Sequence, residues 1–84
     1  MDFIVENEYP WNLRTNIVYI EHPAGVGYSY VSNRLTVSYD DMTQSEDLYI
    51  ALVSFYAKFP LFRDHDLYVT GESYAGLFVP YLAY

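Results

Sequence analysis

The residues of this sequence best suited to chemistry are Gly71-Glu72-Ser73-Tyr74-Ala75-Gly76. A serine hydroxyl gains access to a substrate carbonyl when a sharp turn between a strand and a helix lifts it out of the regular backbone, with small residues around it that let the two elements approach closely. Leu67-Tyr68-Val69-Thr70, with β-branched Val69 and Thr70, reads as a short buried strand in front of the turn, and another apolar segment follows it. Ser73 stands at the apex, and Gly71 and Gly76 are expected to permit the close approach. The general pattern is Gly-x-Ser-x-Gly, whereas here Ala75 holds the second glycine position and Gly76 comes one place later. The chemistry such a turn predicts is covalent, a serine oxygen attacking an acyl carbon.

Other groups invite a chemical reading and are better explained by structure. Asp40 and Asp41 could form an acid/base pair, but adjacent carboxylates ahead of a helix complement its dipole. Asp64-His65-Asp66 resembles a metal or triad fragment, yet it falls in a short polar connection that reads as a solvated turn. His22 is read as structural. The loop Pro23-Ala24-Gly25-Val26-Gly27-Tyr28-Ser29-Tyr30 offers two glycines of a dinucleotide fingerprint, but Tyr30 fills the third position, where helix packing needs a small residue.

The elements that must position Ser73 can be traced back along the chain. A polar stretch around Asn7-Glu8-Tyr9-Pro10-Trp11-Asn12 reads as a loop anchored by Trp11. Asn16-Ile17-Val18-Tyr19-Ile20 is a continuous, β-branched apolar run, the pattern of a parallel strand buried on both faces, and the glycine loop follows its carboxyl end. Residues 31–41 are polar and irregular. Thr43-Gln44-Ser45-Glu46 then forms a capping box, with Thr43 as N-cap, Glu46 and Asp47 in the first turn and Lys58 in the last. Leu48, Leu52, Phe55 and Phe59 recur at helical spacing, widened by Ala51 and Tyr56, and Pro60 stops the helix. Strand 16–20, helix 43–59 and strand 67–70 make one βαβ unit of a parallel sheet with a right-handed crossover. The elbow and a short helix from Tyr74 follow, and Pro80 is expected to kink or end that helix.

Composition bounds what such a unit can bind. With 52% hydrophobic and 18% charged residues over 84 positions, the chain is part of a globular protein and at most one small domain. Eleven tyrosines, five phenylalanines and one tryptophan suit sheet and pocket walls whose hydroxyls need partners. Eleven acidic against four basic residues, net −7, leave no cationic patch for a phosphate backbone, so nucleic acid is not an expected partner. No apolar run reaches the length of a membrane span, and Asp2 and Glu6 stand where a signal peptide would be positively charged. Without cysteine there is no disulfide framework and no thiolate metal site.

Taken in order, Trp11-Asn12, the run from Asn16 through Ile20 into Glu21-His22-Pro23-Ala24-Gly25-Val26-Gly27-Tyr28-Ser29-Tyr30, and above all Gly71-Glu72-Ser73-Tyr74-Ala75-Gly76 resemble the serine carboxypeptidases over nearly the whole chain. The hexapeptide is that family's own form of the elbow, which accounts for Ala75. The resemblance implies residues 1–84 of a single partial α/β-hydrolase domain that removes C-terminal residues from peptides, with no metal or other cofactor. It implies Ser73 as nucleophile, the Tyr74 backbone N–H as an oxyanion donor, and Glu72 as a group holding the substrate's terminal carboxylate. It also implies a vacuole, lysosome or extracellular location.

Against the family pattern, an acid and then a histidine should follow the serine, but none of the eleven residues after Ser73 is Asp, Glu or His. His22 and His65 precede it and correspond to no family base. The chain is therefore expected to be a fragment, inactive alone, with exposed sheet edges. Two other readings stay open: a non-catalytic binding protein on the same scaffold, and a relative that transfers acyl groups to an acceptor other than water.

Overall fold

Helix α1, Asp41–Lys58, and helix α2, Ala75–Ala83, carry the regular structure of the computed structural model, which describes residues 2–32 and 40–84. α1 packs against α2, and a 3-10 turn, Pro60–Phe62, folds back on the end of α1. Phe55 is the hub of that fold-back, with ring centroids 5.1 Å from Phe59, 5.5 Å from Tyr56 and 6.1 Å from Phe62. Residues 33–39, most of the irregular stretch expected at 31–41, lie outside the described residues.

The expected βαβ unit is not formed. Among the described residues there is no strand: 16–20 and 67–70 enter no hydrogen-bonded ladder. The composition of a β-strand is a preference for a paired, half-buried surface, and it produces a strand only where a neighbouring strand and a covering layer exist. Here Tyr19 is 73% and Tyr68 83% exposed, so neither condition is met. Trp11 likewise anchors nothing; it is exposed, and its loop closes through the Leu13 N–H on the Pro10 carbonyl at 3.1 Å and the Thr15 hydroxyl on the Trp11 carbonyl at 3.2 Å.

α1 begins two residues before the expected 43–59 span, because Asp40 is the N-cap. Its carboxylate accepts from the Thr43 N–H at 2.9 Å and from the Thr43 hydroxyl at 2.8 Å, so Thr43 completes the cap instead of being it. The first turn consequently carries Asp41, with Glu46 and Asp47 beyond it, while Lys58 does lie in the last turn. Phe59, ahead of Pro60, leaves the helical region at φ −126° and ψ 69°, as the clash with a following proline requires. The stripe is half-buried at Leu48, Leu52, Phe55 and Tyr56, whereas Ala51 and Phe59 are exposed. The two buried residues among those described are polar, Gln44 and Ser45.

α2 runs through Pro80 to Ala83, so the helix does not end at the proline. The missing donor at Pro80 frees a single carbonyl four residues earlier, at Gly76, and Gly76 is exposed to water that can satisfy it.

The accessible surface is 7995 Å². Folded monomers of 9.8 kDa expose about 5,200 Å² by the mass scaling of globular proteins. The radius of gyration is 15.3 Å, against about 12 Å for a self-contained domain of this length. Both quantities describe apolar side chains that the described elements do not cover, and no hydrophobic residue among those described is fully buried.

Candidate active site

Ser73 adopts φ +58°, the left-handed region, in a residue that carries a Cβ. That conformation costs about 1–3 kcal/mol and persists only where the surrounding bonds dictate it. Three backbone bonds do so: the Ala75 N–H donates to the Glu72 carbonyl at 3.2 Å, the Gly76 N–H to Ser73 at 3.0 Å and the Leu77 N–H to Tyr74 at 3.0 Å. The turn therefore passes directly into α2 and leaves Ser73 exposed at the helix entrance. None of these three bonds uses the Tyr74 N–H.

The small residues around Ser73 divide their work unequally. A Cβ on Gly71 would lie 2.3 Å from the Ala75 Cβ and 3.3 Å from Val79 Cγ2, so a glycine is what allows residue 71 to lie against the first turn of α2. Ala75 is the other half of that contact. Gly76 was expected to share in it and does not, since a Cβ there would meet nothing within 4 Å among the described residues.

Tyr74, beside the serine, is held from two sides. Its ring meets Phe78 edge-on at 5.2 Å, and its hydroxyl donates to Asp41 Oδ1 at 2.7 Å. The bond to Asp41 is the main reason the Tyr74 phenol is pushed above its ordinary value. Asp41 is the residue that sequence reasoning left among the surface carboxylates; the 33 positions between the partners carry no local signal of the contact. Glu72 is exposed next to Ser73.

Neither histidine serves as a partner to Ser73 in this structure. His22 stands edge-on to Phe78 at 4.8 Å, with Nε2 buried and unpaired among the described residues. Burial lowers its pKa, partly offset by Asp47. His65 lies in the turn after the 3-10 element, its ring 5.5 Å from Phe62 and its N–H on the Phe62 carbonyl at 3.2 Å. Asp64-His65-Asp66 is an exposed turn, as expected. Among the described residues no three acidic, histidine or cysteine side chains gather into a metal-binding group, and no helix is long and apolar enough to cross a membrane.

The loop between 21 and 30 closes on Glu21. Its carboxylate accepts from the Tyr28 N–H at 2.6 Å and its carbonyl from the Ser29 hydroxyl at 2.6 Å. Gly25 and Gly27 have φ +89° and +57°, and at Gly27 a Cβ would overlap the Glu21 carboxylate. The glycines thus shape a self-bonded loop.

With this geometry in place, comparison with known proteins identifies the chain as a member of the serine carboxypeptidase family, whose sequence profile matches residues 2–84. It is 49% identical over 81 residues to serine carboxypeptidase ctsa-4.1 of Caenorhabditis elegans, covering 95% of this chain and 17% of that protein. It is 48% identical over 77 residues to the lysosomal protective protein of Mus musculus, covering 92% and 16%. A serine carboxypeptidase-like protein of Oryza sativa subsp. japonica is 40% identical over 80 residues, covering 95% and 19%. The chain thus spans less than a fifth of the length of these relatives. No solved structure matches it significantly.

Proposed function

We propose that this chain is the nucleophile-bearing part of a longer serine carboxypeptidase that cleaves C-terminal residues from peptides. Ser73 Oγ attacks the carbonyl carbon of the last peptide bond, its proton passing to a general base; the C–N bond breaks, the protonated amine leaves, and water hydrolyses the resulting ester. The Tyr74 N–H stabilises the oxyanion, and Glu72 receives the terminal carboxylate of the substrate. The general base and its acid partner belong, on this reading, to parts of the longer protein, which also cover the apolar surface that α1 and α2 leave open. A lysosomal site of action agrees with the name of the murine relative.

The observation that carries the reading is the left-handed Ser73 at the entrance to α2, within a chain matched by the family from residue 2 to 84. The test is reaction of the natural full-length protein with a fluorophosphonate serine reagent. Covalent labelling at Ser73, lost together with peptide hydrolysis in Ser73→Ala, is the expected result. A protein that hydrolyses peptides while Ser73 stays unlabelled would overturn the assignment.

A further inference from the structure

We propose that Asp41 is a positioning residue for this reaction, tying the Ser73–Tyr74 turn to the start of α1 through the Tyr74 hydroxyl. The inference rests on the reading of Ser73 as nucleophile and adds a residue outside the turn to it. The backbone bonds from Ala75, Gly76 and Leu77 fix the turn relative to α2, and the Tyr74–Phe78 ring contact also stays within that element. They hold the turn to α2 but do not themselves reach α1, against which α2 packs. The bond from the Tyr74 hydroxyl to Asp41 Oδ1, 2.7 Å long, is what joins the residue after Ser73 to a different element.

Its acceptor is itself held in place. Asp41 is the first residue of α1, directly after the Asp40 cap, and its carbonyl accepts from the hydroxyl of buried Ser45 at 2.7 Å. An ionised acceptor makes a shorter, stronger bond than a neutral one, so Asp41 suits the purpose better than an amide would. The Tyr74 N–H belongs to the same residue as the tethered hydroxyl. Releasing the side chain therefore loosens the oxyanion donor, and errors of about 1 Å in a reacting group cost up to about a hundredfold in rate. A single exposed tether should account for about a tenfold share of that.

The experiment compares Asp41→Ala, Tyr74→Phe, the double variant and Asp41→Asn in the natural full-length protein. Each single variant should lower kcat about tenfold with KM unchanged, and slow fluorophosphonate labelling of Ser73 by the same factor. The double variant should be no slower than either single one, since both remove the same bond. Asp41→Asn, which keeps an acceptor oxygen, should recover most of the loss. Should Asp41→Ala fail to fold, Tyr74→Phe removes only one oxygen and still decides the matter through kcat and labelling rate. Singles at the wild-type rate, an effect confined to KM, or losses that multiply in the double variant would overturn the role of Asp41 while leaving Ser73 as nucleophile. Wild-type protein whose Ser73 does not react would overturn the nucleophile reading, and this inference with it.

Discussion

Gly71→Ala is the perturbation for which the structure gives the sharpest expectation. The added methyl would lie 2.3 Å from the Ala75 Cβ, 3.3 Å from Val79 Cγ2 and 3.6 Å from the Ala75 Cα. Carbon atoms settle at about 3.5–4.0 Å, so the nearest contact is short by more than 1 Å. The Ala75 methyl has no torsion by which to retreat, being bonded directly to the first residue of α2. The backbone at 71 must therefore move away from α2, and overpacking of this kind costs about 1–3 kcal/mol. Ser73 is two residues further on, and with Ser73 as the proposed nucleophile a shift of about 1 Å there should slow its acylation by up to about a hundredfold. The assay is the denaturant midpoint together with the fluorophosphonate labelling rate of Gly71→Ala in the full-length protein, beside the double variant Gly71→Ala/Ala75→Gly. The double variant removes the colliding methyl and should recover the labelling rate, less about 0.5–1 kcal/mol of stability for a helical glycine. Wild-type stability and rate in Gly71→Ala, or a double variant no better than the single, would refute the reasoning.

Three further outcomes are expected. Two facing carboxylates repel unless one holds a proton, so recognition of the substrate terminus by Glu72 predicts a KM that climbs toward neutral pH and flattens in Glu72→Gln; an unchanged pH dependence in the variant would remove Glu72 from that role. Burial lowers the His22 pKa, so the unfolded chain takes up its proton first as pH falls through about 6.5. The stability due to neutral His22 is accordingly complete above that value and is lost toward the lower folded pKa. Unfolding midpoints measured from about pH 8 to about pH 5 should fall less in His22→Gln than in wild type, and parallel slopes would contradict this. Asp40→Ala should destabilise α1 by about 1 kcal/mol through loss of the cap on the Thr43 N–H, seen as faster amide exchange in the first turn; unchanged exchange would show that the cap contributes nothing.

The parts of the molecule legible in the sequence are those decided within a few residues. Pro60 ending α1 at Phe59 and small residues bending the chain at Ser73 are local steric facts, and both hold. The start of α1 is also local, yet the sequence alone leaves it between two positions, because Asp40 and Thr43 are both competent caps and the aspartate carboxylate reaches two donors at once. The strands were illegible for a different reason. Residues 16–20 and 67–70 have the composition of strands, yet a strand exists only with a partner, and composition does not report whether one is present. Asp41 was hidden by distance in sequence: nothing about an aspartate at a helix start reveals that a tyrosine hydroxyl 33 residues later will bond to it.

The same division between near and far explains how a chain with no buried apolar core among its described residues still shows a strained turn at Ser73. The left-handed residue costs about 1–3 kcal/mol, and each net hydrogen bond returns about 0.5–1.5 kcal/mol, so the three backbone bonds into α2 offset the strain without help from the rest of the fold. The shape of the turn is thus a property of the segment Gly71 to Leu77. Its orientation is not. Where the Ser73 hydroxyl and the Tyr74 N–H point relative to the rest of the protein depends on contacts that cross from one element to another, and the bond to Asp41 is the one that leads from the residue beside Ser73 to α1. With Asp41 in the proposed positioning role, substitution elsewhere on the surface of α1 should cost less activity than substitution of Asp41, although its carboxylates look alike in sequence.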